Sequence, residues 1–152
     1  MNIPHRILMG TDFSDYSKEA LDYAALLAKQ FGADLYLLHA FEVPAYYIPG
    51  VGGVGGPDII EWLRSIRERE QKGLETLAEE VRQKGVEVHP ILKEGSPVGE
   101  ILNAVKEIPA EMIVLGTHGR SGLNRFMMGS VAERVLRQAP CPIVLVRPKA
   151  FK

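Results

Sequence analysis

The chain lacks most features that mark secreted, membrane-spanning or nucleic-acid-binding proteins. Its 152 residues include one cysteine, Cys141, so no intrachain disulfide can form, as is typical of a reducing compartment. No apolar stretch approaches the ~20 residues that span a bilayer, and the first residues do not resemble a signal peptide. The formal net charge of −1 leaves no broad basic surface. These absences predict a cytoplasmic protein that binds neither membrane nor nucleic acid.

Several ligand-binding motifs are also missing. No glycine is followed by lysine, so the chain has no Walker A loop. None of the four histidines lies at a spacing that pairs metal ligands on one helix face. Residues 50–55 satisfy G-x-G-x-x-G, but a dinucleotide fingerprint must follow a strand directly and turn tightly into a helix. Prolines flank the motif instead, and we interpret residues 42–57 as a mobile Pro/Gly-rich loop.

Short apolar runs alternate with longer amphipathic segments along the whole chain. The apolar runs, which predict strands, are residues 6–10, 33–41, 86–92, 111–116 and 142–146. The segments between them predict helices that begin after Ser14, near residue 58, after Ser96 and at Ser130. Such alternation indicates α/β architecture. We predict one domain, residues 1–152, with a Rossmann-like, doubly wound five-stranded parallel sheet of order 3-2-1-4-5 and helices on both faces.

The ends of the first and fourth strands are the places to look for a ligand. In open parallel sheets, ligands bind beyond the carboxyl ends of the strands, where the strand order reverses. Gly10, Thr11 and Asp12 follow the first strand, and the fourth strand ends at Gly116. An aspartate in a strand-to-helix turn often only stabilises the turn. For Asp12 we favour a ligand contact, because the switch point lies there.

The segment after the fourth strand, residues 116–130, combines glycines with a helix start. Glycine lets backbone N–H groups approach a ligand without an intervening side chain. The helix that begins at Gly129 and Ser130 offers unpaired N–H groups and the positive end of its dipole, which together favour phosphate. The Ser130 hydroxyl is expected either to cap this helix or to donate to a phosphate oxygen.

The spacing Gly116-x2-Gly119-x9-Gly129-Ser130 resembles that of the universal stress proteins of the ATP-binding type, without departure. The resemblance extends over the whole chain. Residues 10–14 resemble the family's first strand-to-helix turn, residues 37–40 the end of its second strand, and residues 139–146 its closing strand.

The resemblance implies that the ligand is ATP, with Mg²⁺ or Mn²⁺ bridging its phosphates and no dedicated protein cage for the metal. Asp12 would accept hydrogen bonds from the ribose hydroxyls, and Ala40 would contact adenine through its backbone. Gly116 would lie against the ribose, and the residues beyond it would hold the phosphates. The nucleotide-binding residues predicted in this way are Gly10, Thr11, Asp12, Ala40, Gly116, Thr117, His118, Gly119, Arg120, Gly129, Ser130 and Val131.

We therefore predict an ATP-binding regulatory protein of the stress response that acts as a nucleotide-dependent switch. No general base is evident near the predicted phosphates, so hydrolysis is expected to be slow at most, and no residue is assigned as catalytic. The resemblance implies a homodimer paired through the C-terminal strand, 142–146; a protein partner is unknown. Two alternatives stay open: an ATP-using enzyme of hydrolase or adenylating type, and an interaction module that binds no nucleotide. His39 is interpreted as a satisfied core residue.

Overall fold

The computed structural model describes residues 2–43, 57–119 and 127–149. Residues 44–56 of the predicted loop and Arg120 lie outside them. The elements are β1 (Arg6–Gly10), α1 (Asp15–Phe31), β2 (Asp34–Phe41), α2 (Pro57–Arg82), β3 (Val88–Glu94), α3 (Pro97–Glu107), β4 (Met112–Gly116), α4 (Ser130–Gln138) and β5 (Ile143–Val146). Pro57, predicted as the last loop residue, is therefore the first residue of α2. Among the described residues, no helix is long and apolar enough to cross a membrane.

The strands form one parallel sheet in the order β3-β2-β1-β4-β5, which confirms the predicted topology. Strand ends differ from the sequence prediction by two residues at most, the largest shift being that of β3. At the carboxyl edge of the sheet, Gly10 pairs with Leu38 and Gly116 pairs with Val146. The first and fourth strands are neighbours, so their carboxyl ends open at the same place.

The sheet separates two hydrophobic cores. Successive strand residues point to opposite faces, and Ile7 and Met9 of β1 pack beneath α1 and α2, whereas Leu8 packs beneath α3 and α4. All three side chains are fully buried. Two helices cover each face, as predicted.

Local signals fix the ends of the helices. Ser14 caps α1 and Ser96 caps α3, each by accepting a hydrogen bond from the N–H three residues later. Gly32 ends α1 with a left-handed φ of 64°, a conformation that glycine adopts without a steric penalty.

Only the second half of α2 packs fully onto the sheet. Leu74, Leu77 and Val81 are buried, whereas Ile59, Leu63 and Ile66, which the apolar periodicity also assigns to the inner stripe, are only half-buried. Ile66 lines the same cleft as Phe41, the last residue of β2. The earlier turns of α2 therefore extend beyond the carboxyl edge of the sheet, where the described residues offer less apolar surface to cover them.

Candidate functional site

A cavity of about 210 Å³ opens beyond the carboxyl ends of β1 and β4, where the strand order reverses. Its walls come from β1, β2 and α1 on one side and from α3, β4 and α4 on the other. Of the twelve predicted nucleotide-binding residues, the eleven that the structure describes all line this cavity: Gly10, Thr11, Asp12, Ala40, Gly116, Thr117, His118, Gly119, Gly129, Ser130 and Val131. Arg120 is outside the described residues.

The turn between β1 and α1 presents the Asp12 carboxylate to the cavity. The Ser14 N–H donates to Asp12 Oδ1 at 2.9 Å, which is the local bond of an aspartate turn. The other oxygen, Oδ2, faces Gly119, where an added β-carbon would lie only 2.5 Å away. The two interpretations of Asp12 are therefore compatible, because one oxygen serves the turn and the other faces the glycine segment.

His39 supports this turn from β2. The ring is buried, and its Nδ1–H donates to the carbonyl oxygen of Thr11 at 2.8 Å. Its Nε2 lies 3.2 Å from Glu70 Oε2 of α2, but the approach does not have hydrogen-bond geometry. The prediction of a fully satisfied core histidine is therefore wrong for Nε2. The contact with Glu70 is attractive only when the ring carries a positive charge.

Backbone hydrogen bonds fix Thr117 and Gly129 beside the end of β5. The Thr117 N–H donates to the carbonyl of Val146 at 3.0 Å, and the Gly129 N–H donates to the carbonyl of Thr117 at 2.6 Å. His118 is buried, with its Nδ1 at 2.8 Å from Thr117 Oγ1. A β-carbon at position 129 would lie 3.0 Å from the Thr117 carbonyl oxygen. Glycine is thus favoured at position 129 by backbone packing as well as by ligand access.

The N-terminus of α4 lies at the cavity and begins with N–H groups that have no partner within the helix. Gly129 is the N-cap, no side chain caps the helix, and the N–H of Glu133 makes the first intrahelical bond, to Gly129. The N–H groups of Ser130, Val131 and Ala132 precede that bond and have no acceptor within the helix. All three residues line the cavity. Of the two roles predicted for the Ser130 hydroxyl, the structure excludes capping.

The opposite part of the cavity is apolar. It is lined by Leu38, Ala40, Pro97, Ile101 and Leu115. Several lining residues were not predicted from the sequence, namely Ser17, Leu38, Pro97, Ile101, Leu115 and Ala132. A signal for Pro97 and Ile101 was available, because the crossover from β3 to β4 must bring the start of α3 back over β2 and β1.

The backbone of Ala40 is directed into this apolar part. The Thr11 N–H donates to the Leu38 carbonyl, and the Gly95 N–H donates to the Phe41 carbonyl. Because the hydrogen-bonding direction alternates along a strand of a parallel sheet, the N–H and C=O of Ala40 point toward the β1 side. There β1 has already ended, opposite Leu38. One donor and one acceptor therefore remain at the cavity wall.

An apolar wall, a carboxylate and a row of N–H donors thus surround one cavity at the switch point. The described residues contain no group of three or more His, Cys, Asp or Glu side chains that could hold a metal ion. The fold and this arrangement define a doubly wound α/β protein whose cavity suits a ligand with an apolar end and an anionic end.

The chain belongs to the universal stress protein family, whose family model matches residues 4–147. Universal stress protein MJ0531 of Methanocaldococcus jannaschii is 35% identical over 146 residues, which cover 96% of this chain and 84% of that protein. Universal stress protein UspA from Lactobacillus plantarum has a similar structure, with a TM-score of 0.81, 25% identity, and coverage of 96% of this chain and 100% of that chain. A universal stress protein from Archaeoglobus fulgidus, solved in complex with dAMP, has a TM-score of 0.63 and 27% identity, with 95% and 98% of the two chains covered.

Proposed function

We propose that this protein binds ATP, or another adenine nucleotide, in the switch-point cavity and acts as a nucleotide-dependent regulatory protein. The observation that carries the proposal is the order of surfaces in one cavity: apolar wall, carboxylate, N–H donors. A nucleotide has the matching order of base, ribose and phosphates. The related protein from Archaeoglobus fulgidus, solved in complex with dAMP, supports the proposal.

The N-terminus of α4 is the proposed seat of the phosphates. The N–H groups of Ser130, Val131 and Ala132, which have no acceptor within the helix, and the positive end of the helix dipole favour an anion there. Gly119 also lines the cavity, and because it has no side chain the phosphates can approach its backbone. In this proposal Mg²⁺ or Mn²⁺ is held by the phosphate oxygens, which such hard cations prefer.

Asp12 is the proposed ribose contact, and Ala40 the proposed base contact. A carboxylate accepts several hydrogen bonds, so Asp12 can keep its bond to Ser14 and still accept from the ribose hydroxyls. The Ala40 N–H would donate to adenine N1 and its C=O would accept from the adenine amino group. Guanine presents a donor at N1 and an acceptor at the neighbouring position, so we expect adenine to be preferred.

The same groups argue for binding rather than rapid catalysis. Main-chain donors hold phosphates in the ground state as well as in the transition state, which gives affinity without rate. Fast phosphoryl transfer also needs an oriented nucleophile and positive charge placed to meet the transition state. The described residues of the cavity include neither lysine nor arginine. We therefore propose a switch that hydrolyses ATP slowly at most, with an ATP-using enzyme as the alternative.

Calorimetry on the wild type and Gly119→Val tests the proposed site. The first side-chain carbon at position 119 would already meet Asp12 Oδ2, so valine should displace the carboxylate and obstruct the phosphates. We expect wild type to bind ATP more tightly than GTP, and Gly119→Val to lose ATP binding while its thermal unfolding stays cooperative. Unchanged ATP affinity in a folded Gly119→Val protein would exclude this site.

Steady-state hydrolysis with magnesium distinguishes the switch from the enzyme. We expect turnover far below the ~10 per second that is typical of enzymes. Turnover at that rate, lost when Asp12 or His118 is replaced, would establish the alternative.

A further inference from the structure

Phe13 follows Asp12 directly and has an unusual backbone conformation. Its φ is 65°, in the left-handed region that a bulky residue rarely occupies. The Phe13 N–H donates to Thr11 Oγ1 at 3.2 Å, and the Ser14 N–H donates to Asp12 Oδ1. A residue in this region persists only where its surroundings hold it, so the contacts of Phe13 show what fixes the turn.

The Phe13 ring is held between β2 and α2. Its centroid lies 4.1 Å from that of the His39 ring, with the two planes inclined by 40°. On α2, the backbone of Gly73 approaches so closely that a β-carbon there would touch the Phe13 ring at 3.4 Å. The ring packs against the core beneath α1 and α2. Phe13 therefore follows a cavity residue in the chain, but its ring is anchored in the core beneath α1 and α2 and not in the cavity.

His39 holds the other neighbour of Asp12. Its Nδ1–H is bonded to the Thr11 carbonyl, and its Nε2 faces Glu70, one helical turn before Gly73 on the same face of α2. The His39 side chain is 5% exposed and that of Glu70 is 17% exposed. Asp12 thus lies between two residues, Thr11 and Phe13, that are both fixed through His39 and α2.

We propose that Phe13 and His39 are positioning residues that set the Asp12 carboxylate against the ribose. This inference rests on the proposed function and extends it, because it assigns ribose recognition partly to residues that do not line the cavity. It predicts that loss of the Phe13 ring or of the His39 donor removes selectivity for the ribose hydroxyls while the base and phosphate contacts persist. A general loss of stability would instead lower the affinity for every ligand by the same factor.

The test compares two ligands on each variant by calorimetry: ATP and 2′,3′-dideoxy-ATP, both with magnesium. Wild type should bind ATP at least about tenfold more tightly than 2′,3′-dideoxy-ATP, because a carboxylate makes strong hydrogen bonds to hydroxyls. This ratio of the two affinities is the quantity compared among the variants. Asp12→Asn should lower this ratio, and Phe13→Ala and His39→Leu should lower it to below about threefold. In these two variants the affinity for the dideoxy ligand should stay near its wild-type value.

Matched variants separate positioning from folding. Phe31→Ala removes a phenylalanine at the end of α1, and Glu68→Gln removes an exposed charge from α2; both should keep the wild-type ratio. His39→Asn should restore much of the ratio lost in His39→Leu, because its amide N–H can replace the Nδ1–H donor.

The outcomes distinguish this inference from the function on which it rests. A folded His39→Leu protein that keeps the wild-type ratio overturns the inference, and so does an equal fall in affinity for both ligands. Wild type that binds both ligands equally overturns the role of Asp12 and the inference with it. If wild type binds neither ligand, the proposed function itself fails.

Discussion

At the scale of single residues, the backbone conformation of Phe13 predicts that glycine is a more stable substitute than alanine at this position. A left-handed conformation costs a non-glycine residue roughly 1–2 kcal/mol. The free energy of unfolding of Phe13→Gly should therefore exceed that of Phe13→Ala by about 0.5–1 kcal/mol. Both variants lose the contact with His39, so that loss does not affect the comparison. Chemical denaturation measures the difference.

An exposed helical position supplies the control for that comparison. Lys18 lies in α1, where glycine is less favourable than alanine by about 1 kcal/mol. Lys18→Gly should therefore be less stable than Lys18→Ala. If glycine is also the less stable substitute at position 13, the conformation of Phe13 does not carry the strain that we assign to it.

Glu111 is a second residue with a measurable role, at the edge of the sheet opposite the cavity. Its Oε2 accepts hydrogen bonds from the N–H groups of His5 and Arg6, at 2.7 and 2.9 Å. The bond from His5, more than the one from Arg6, holds the pKa of Glu111 below its ordinary value, although desolvation opposes the shift. The carboxylate therefore connects the entry of β1 to the entry of β4.

The lowered pKa predicts how stability changes with pH. A group whose pKa is depressed by folding contributes stability above its unfolded pKa, about 4.3 for glutamate, and loses it as the pH falls through the folded value. Wild type should exceed Glu111→Gln in stability from pH 7 to about pH 5, and the gap should close at lower pH. Urea denaturation at several pH values checks this, with Glu80→Gln as the control. A gap that does not depend on pH would contradict it.

At the scale of elements, the three serines at helix starts divide into two kinds. Ser14 and Ser96 accept a capping hydrogen bond, whereas Ser130 is the first helical residue of α4 and caps nothing. Ser14→Ala should therefore cost about 1 kcal/mol of stability, and Ser130→Ala should change it by less than about 0.5 kcal/mol. Thermal or chemical denaturation of the two variants measures this contrast.

The effects on ATP affinity should be the reverse of those on stability: the larger effect is expected at Ser130 and the smaller one at a capping serine. If Ser130 donates to a phosphate oxygen, Ser130→Ala should weaken ATP binding by about fivefold, whereas Ser96→Ala, at the start of α3, should leave it much less affected. Loss of stability without loss of affinity in Ser130→Ala would show that its hydroxyl serves the fold.

The sequence predicts elements better than it predicts the conformation of the turns between them. The apolar runs predicted the parallel sheet, and the order 3-2-1-4-5, although the crossover rule also allows 2-1-3-4-5, is the one observed. The glycine spacing identified lining residues from β4 to the start of α4. The left-handed φ of Phe13 could not be predicted, because it depends on a ring contact with His39 and on the approach of Gly73 from a distant helix. The sequence also could not decide whether Gly129 or Ser130 is the N-cap of α4, because both residue types are favoured at that position.

At the scale of the whole molecule, the exposed edge of β5 is the place where we expect a second copy to pair. Among the described strands, β5 pairs only with β4. Its four residues are apolar and only half-buried, and such an edge is a template for another strand. We predict a homodimer through residues 142–146. Light scattering that gives a mass near that of one chain, 16.8 kDa, at micromolar concentration would contradict this.

A proline variant tests which strand mediates the pairing. The carbonyls of Pro142 and Val146 accept bonds from the N–H groups of Ile113 and Thr117, so the alternating direction leaves the Leu145 N–H pointing outward. Leu145→Pro removes that donor and should shift the protein to monomer while the circular dichroism of the fold persists. A Leu145→Pro protein that remains dimeric would place the interface elsewhere.

The cavity takes its walls from both halves of the chain, β1, β2 and α1 on one side and α3, β4 and α4 on the other. A nucleotide bound there would act as a non-covalent cross-link, since neither half alone forms the site. At a concentration one hundred times its Kd, a ligand stabilises the folded state by about 2.7 kcal/mol. The backbone amides of both halves should then exchange their hydrogens more slowly together, and proteases should cleave the chain less often.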